Sequence, residues 1–231
     1  MTTRTNARIA GFMFLFYIVS GIVGMIFFEQ ATKGADAAAK LASITAHLPQ
    51  FGVAFLFALV GIFNALVLGA ALYALTRDQD RDLALLGLLC RVVEGAINAV
   101  PAFAILALFA LATGAVESDA VTTRTLAAMW LKASFWSTSI GATVFALGSA
   151  LFAYLLLKAR SIPSWLGWVG LVASVQLLVT APLTGLGVIR GAGMGLMWLP
   201  MLVFEVTLGL LLLIRGTTAS ANATATNTTR L

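Results

Sequence analysis

Four polar residues stand out because of where they fall. Arg91, Glu94 and Asn98 lie well inside the apolar run from Leu83 to Thr113, LALLGLLCRVVEGAINAVPAFAILALFALAT. Glu205 lies in the middle of a second apolar run, Leu196 to Ile214. An arginine and two glutamates among leucine, valine and alanine are costly in hydrocarbon and are retained for a reason. On a helix, Arg91 and Glu94 at i, i+3 share a face, and Asn98, four residues on, extends it. Arg91 falls roughly 12 Å along its helix, with Glu94 roughly 4.5 Å further. Glu205 reaches a similar depth in its own helix. One cation then meets two carboxyls. Either one carboxyl carries a proton, or a cation or basic ligand joins the group, or water reaches it. The chemistry this allows is proton binding, or recognition of a small ion or polar ligand. The plainer alternative is a buried Arg–Glu pair that only fixes how helices pack.

The chain offers few parts for other chemistry. It has one cysteine, Cys90, and one histidine, His47. No intrachain disulfide is possible, and the His/Cys clusters that zinc and copper sites need are missing. The Ser/His and Cys/His arrangements of nucleophilic catalysis lack their parts too. We therefore expect no enzyme, no metal and no cofactor. Met194, Met197 and Met201 recur at i, i+3, i+7. A Cu(I) stripe has that spacing, but soft packing residues explain it better. Cys90 reads as a small core residue, His47 as a solvated loop residue, and Asn64 and Asn98 more often as helix–helix glue.

The elements that must position these residues are membrane spans. Of 231 residues, 61% are hydrophobic and 10% are charged, too little charge for a soluble domain of this length. The expected fold class is all-α: a polytopic membrane helical bundle of six transmembrane helices, with the lipid bilayer as its partner. The net charge of +5 is spread over loops rather than gathered on one face, so no nucleic acid is expected. Arg4 and Arg8 precede the first apolar run, which at about 20 residues is long for a signal-peptide core and has no A-x-A site after it. It reads as an uncleaved first span.

The spans are expected over 9–28, 51–75, 83–113, 134–157, 165–188 and 196–214, one transmembrane domain over 1–215. A disordered polar tail follows over 216–231. Ser20 and Gly24, and the series Gly61, Ala65, Gly69, have the four-residue spacing of helix-packing stripes. Pro101 and Pro182 predict kinks. The connection 29–50 can hold a short helix with an Asp36–Lys40 pair. In the connection 114–133, Ser118 or Asp119 would cap another. Ser134, Ser137, Thr138, Ser139 and Thr143 crowd the start of span 4, where hydroxyls bond back to their helix or to a neighbour. Trp130, Trp165 and Trp168 suit the membrane interface.

Lys and Arg counts orient the chain. Arg4, Arg8, Arg77, Arg81, Lys158, Arg160, Arg215 and Arg230 fall on one side, and Lys33, Lys40, Arg124, Lys132 and Arg190 on the other. This predicts N-in, C-in, and a multi-pass protein of the inner (plasma) membrane. The glycosylation-like triplets at Asn222 and Asn227 then face the cytoplasm and read as chance in a Thr/Asn-rich tail. Spans 1–3 and 4–6 have inverted topology, each with an acidic residue in its third helix. Transporters with a midplane site between inverted repeats share that plan.

Four segments together resemble the bacterial DUF4386 family of membrane proteins of unknown function. They are NARIAGFMFLFYIVSGI at 6–22, LALLGLLCRVVEGAI at 83–97, LLKARSIPSWLGWVGLVAS at 156–174 and PMLVFEVTLGLLLLIRG at 200–216. Their order and spacing cover nearly the whole chain. The resemblance implies the membrane fold and its topology, and brings no activity. It also implies a histidine in span 4, which ALGSALFAYL at 146–155 lacks.

Two readings follow. In one, the chain is a small transporter or binder with a midplane site at Arg91, Glu94, Asn98 and Glu205. In the other, it is a structural or interaction protein in which the same residues lock the bundle. A water-accessible centre would favour the first, a dry and tightly packed one the second.

Overall fold

The structure is a computed structural model that describes residues 2–216. The polar tail beyond Gly216, with the triplets at Asn222 and Asn227, lies outside the described residues. Among the described residues the chain is helical and has no strand. The helices are α1 (Thr3–Ala31), α2 (Ala37–Ala46), α3 (Leu48–Thr76), α4 (Arg81–Ile97), α5 (Ala99–Ala112), α6 (Ala120–Lys158), α7 (Ser164–Gly185), α8 (Ala192–Leu196) and α9 (Leu199–Ile214). Six stretches are long and apolar enough to cross a membrane: α1, α3, α4 with α5, α6, α7, and α8 with α9. In lipid the backbone must satisfy its own hydrogen bonds, which is why these apolar runs are helical. Phe12, Phe63, Phe103 and Val172 point outward, as side chains facing hydrocarbon would.

Each half of the chain repeats one packing scheme. In the first, α1 lies along α3, and α3 along α4; in the second, α6 lies along α7, and α7 along α9. The halves join where α1 meets α9 and where α6 meets α4. Small residues set these crossings. A Cβ added at Gly11 would stand 2.6 Å from the Gly209 carbonyl oxygen, so α1 and α9 meet backbone to backbone. Gly148 faces Cys90 and Gly87 faces Phe152 where α6 crosses α4. The stripe on α3 is only partly a packing stripe. Gly69 abuts the stem of Arg91 and Ala65 is buried, but Gly61 faces open space.

Two spans break next to a proline. Pro101 has no N–H to offer the Ile97 carbonyl, and α4 ends at Ile97. The Ser137 hydroxyl of α6 donates to that carbonyl at 2.8 Å. Pro200 stands just inside the start of α9, after the break that separates it from α8. There Gln176 of α7 donates its side-chain amide to the Met197 carbonyl at 3.0 Å. Pro182, by contrast, neither ends nor interrupts α7, which runs on to Gly185. It lies in the last turn, where one lost hydrogen bond changes little.

Other expectations change as well. The connection 114–133 is largely helix: Asp119 caps α6 by accepting from Val121 and Thr122 N–H, and nothing breaks the helix from there into the span. At 39 residues α6 is about 58 Å long, well beyond the roughly 30 Å of hydrocarbon. Its first turns and α2 form a second core with Leu41, Ile44, Phe51 and Ala127. Asp36 does not need Lys40, because its carboxylate caps α2 through the Ala39 N–H. His47 is not merely solvated: its Nδ1 lies 2.8 Å from the Ser43 carbonyl oxygen at the end of α2. Met197 and Met201 sit in the main core, as packing residues do.

Candidate functional site

The break after Ile97 and the α6–α4 crossing leave Arg91 facing the bundle centre. Arg91 is 1% exposed and Glu94 2%, so neither charge reaches bulk water. Their i, i+3 spacing works as the sequence suggests: Arg91 Nη1 donates to Glu94 Oε2 at 2.9 Å. The other guanidinium nitrogen, Nη2, donates to Ser149 Oγ on α6 at 3.2 Å. Phe145, one turn before Ser149, puts its ring 4.5 Å from the guanidinium carbon, a cation–π distance. From α1, the Tyr17 hydroxyl donates to Glu94 Oε1 at 2.8 Å. Both oxygens of Glu94 are thus satisfied by short, charge-assisted bonds.

Glu205 of α9 arrives differently. It is 5% exposed, and its Oε1 lies 3.9 Å from Arg91 Nη2, too far for a hydrogen bond. Among the described residues that oxygen has no hydrogen-bond partner, and neither does Arg91 Nε. Asn64 on α3 is buried with both amide atoms unpartnered. The pairing of Gly24 with Phe57 across α1 and α3 places Asn64 level with Tyr17. Asn64 is therefore not the helix–helix glue its type suggested. Buried polar groups of this kind are nearly always paired, yet three residues at this level keep unused capacity.

The structure thus brings together Arg91, Glu94 and Glu205 and leaves Asn98 out. The helix break falls at Asn98, and the residue lines a separate cavity. Tyr17, Phe145 and Ser149 escaped the sequence reading. Tyr17 carried a visible sign, a hydroxyl-bearing aromatic far from either end of its span. Ser149 and Phe145 are ordinary residues of a membrane helix and carried none. The void touching Arg91 is about 10 Å³ and otherwise mostly apolar, at the lower limit for one water molecule. Among the described residues no three His, Cys, Asp or Glu side chains gather as a metal site would require.

What the arrangement can do follows from its charges. Arg91 and Glu94 form a closed neutral pair. Glu205 adds a second carboxyl that the pair does not need. A family model described as "Domain of unknown function (DUF4386)" matches residues 9–216. No curated protein and no solved structure matches the chain.

Proposed function

We propose that this chain, which belongs to the DUF4386 family, is a non-catalytic multi-pass membrane protein that binds an exchangeable proton, or a small cation in its place, at Arg91, Glu94 and Glu205. The observation that carries this reading is the surplus carboxyl. Glu205 is buried beside an ion pair already closed by Tyr17 and Ser149, and its Oε1 has no hydrogen-bond partner among the described residues. An ionised carboxylate at this depth whose nearest guanidinium is 3.9 Å away and already paired with Glu94 is costly, so Glu205 holds a proton or a cation when the pair is intact. The Lys and Arg distribution supports an N-in, C-in orientation in the inner membrane. The two halves repeat one packing scheme, each with a broken third span, a plan shared by transporters with a midplane site.

Infrared difference spectroscopy of the protein in lipid tests this. A protonated-carboxyl band at neutral pH that vanishes in Glu205→Gln is expected. No such band in the wild type between mild acid and neutral pH, with no cation bound on dialysis, would overturn the reading. The second reading, a packing lock, is favoured by the near-absence of space at Arg91. It requires only that the charge state of Glu205 never changes, so a carboxyl band that neither shifts in D2O nor responds to pH would favour it.

A further inference from the structure

A cavity of about 350 Å³ opens between α1, α3, α5 and α6, because α1 packs on α3 and α9 and stands away from α5 and α6. Its size is that of a small-ligand pocket. Its wall is graded along the helices. Tyr17, Asn98 and Thr138 lie at the end nearest the buried cluster. Met25, Phe28 and Ile105 lie at the other end, toward the core formed with α2. Among the described residues no Asp, Glu, Lys or Arg lines it. Among the described residues the Asn98 side-chain amide, two donors and an acceptor, makes no hydrogen bond although it sits inside a span; its Oδ1 lies against Gly141 of α6. The Tyr17 hydroxyl donates its hydrogen bond to Glu94, and its oxygen can still accept one.

We infer that this cavity binds an uncharged amphiphile: a hydroxyl or carbonyl head on Asn98 and Tyr17, and an aliphatic or aromatic body along Met25, Phe28 and Ile105. The absence of charge on the wall selects against ionic heads, because an ion at this depth would have no counter-charge. The unmet amide selects for a hydrogen-bonding head over a plain hydrocarbon chain. Tyr17 forms both the cavity wall and a bond of the charged cluster, so an occupant that bonds its hydroxyl touches the proton site through one residue. The identity of the occupant follows from the lining alone; only this link rests on the proton reading above.

Photolabelling in lipid nanodiscs tests it, using a long-chain alcohol that carries a diazirine. Label is expected on the cavity-lining peptides of α1 and α5. n-Octanol should displace it, whereas octane, octanoate and octylammonium at equal concentration should not. Gly61 lines the cavity and has open space at its Cβ position, so Gly61→Leu places a side chain in the cavity and should abolish the label. Asn98→Leu should weaken displacement by n-octanol about five- to tenfold, one hydrogen bond's worth. Label that survives Gly61→Leu, or that spreads evenly over lipid-facing residues, would overturn the site. Equal displacement by octanoate or octane would overturn the choice of an uncharged polar head. Label should persist in Glu205→Gln, so that the cavity and the proton site can fail separately.

Discussion

Substituting Glu94 and Glu205 by glutamine should have very different costs, although both are buried carboxyls beside the same arginine. Glu94→Gln removes a charge from a pair at 2.9 Å and leaves Arg91 with only Glu205, 3.9 Å away and without a hydrogen bond, as its nearest carboxyl. Breaking one side of a buried pair costs about 3–5 kcal/mol. Glu205→Gln keeps the shape and removes no hydrogen bond from Oε1, which has none. Were Glu205 ionised, its attraction to Arg91 at 3.9 Å would be about 4 kcal/mol at an effective dielectric of 20. Glutamine would lose that attraction. If Glu205 is neutral, glutamine should cost under about 1 kcal/mol. Reversible unfolding in mixed micelles, followed by tryptophan fluorescence, measures both. The expected order is a large loss for Glu94→Gln and almost none for Glu205→Gln at neutral pH. Equal losses of several kcal/mol would refute the reasoning and make Glu205 a charged member of a structural lock.

Gly69→Ala should destabilise by about 1–3 kcal/mol through overpacking, since its Cβ would stand 2.8 Å from that of Arg91; Gly61→Ala, facing open space, should be near neutral in the same unfolding assay. Ser137→Ala should cost about 1–3 kcal/mol by leaving the Ile97 carbonyl unpaired. Pro101→Ala should rescue most of that loss, because it restores the N–H that this carbonyl lacks, and a double-mutant cycle reads the coupling directly. Asp119 lies outside the span, and its carboxylate is held below the usual carboxylate range by hydrogen bonds from the Thr122 hydroxyl and from the Thr122 and Val121 N–H groups. The lowered value means the cap is fully in place above the ordinary carboxyl range and is lost as pH falls below that range, through the lowered value. Hydrogen exchange at the first turn of α6 should therefore accelerate in acid, and Asp119→Ala should already exchange fast at neutral pH.

The amino-acid sequence by itself determined that this is a helical membrane protein with six spans, because runs of about 20 apolar residues have no other stable form in a bilayer. It also determined the Arg91–Glu94 contact, since i, i+3 on a helix is a local relation. It misplaced Asn98, because the same spacing rule fails where Pro101 interrupts the helix. It read 114–133 as a connection because polarity marks the end of hydrocarbon, not the end of a helix. It could not show that Tyr17 closes Glu94, that Phe145 and Ser149 hold the guanidinium, or that Asn64 is left without a partner. Those depend on which faces of α1, α3, α4, α6 and α9 meet. Small residues such as Gly11, Gly148 and Gly209 set those faces through pairings between distant segments. For the same reason only the tertiary structure decided that Glu205 reaches Arg91 without a hydrogen bond: its distance is fixed by how closely α9 approaches α1 and α7, not by anything within its own helix.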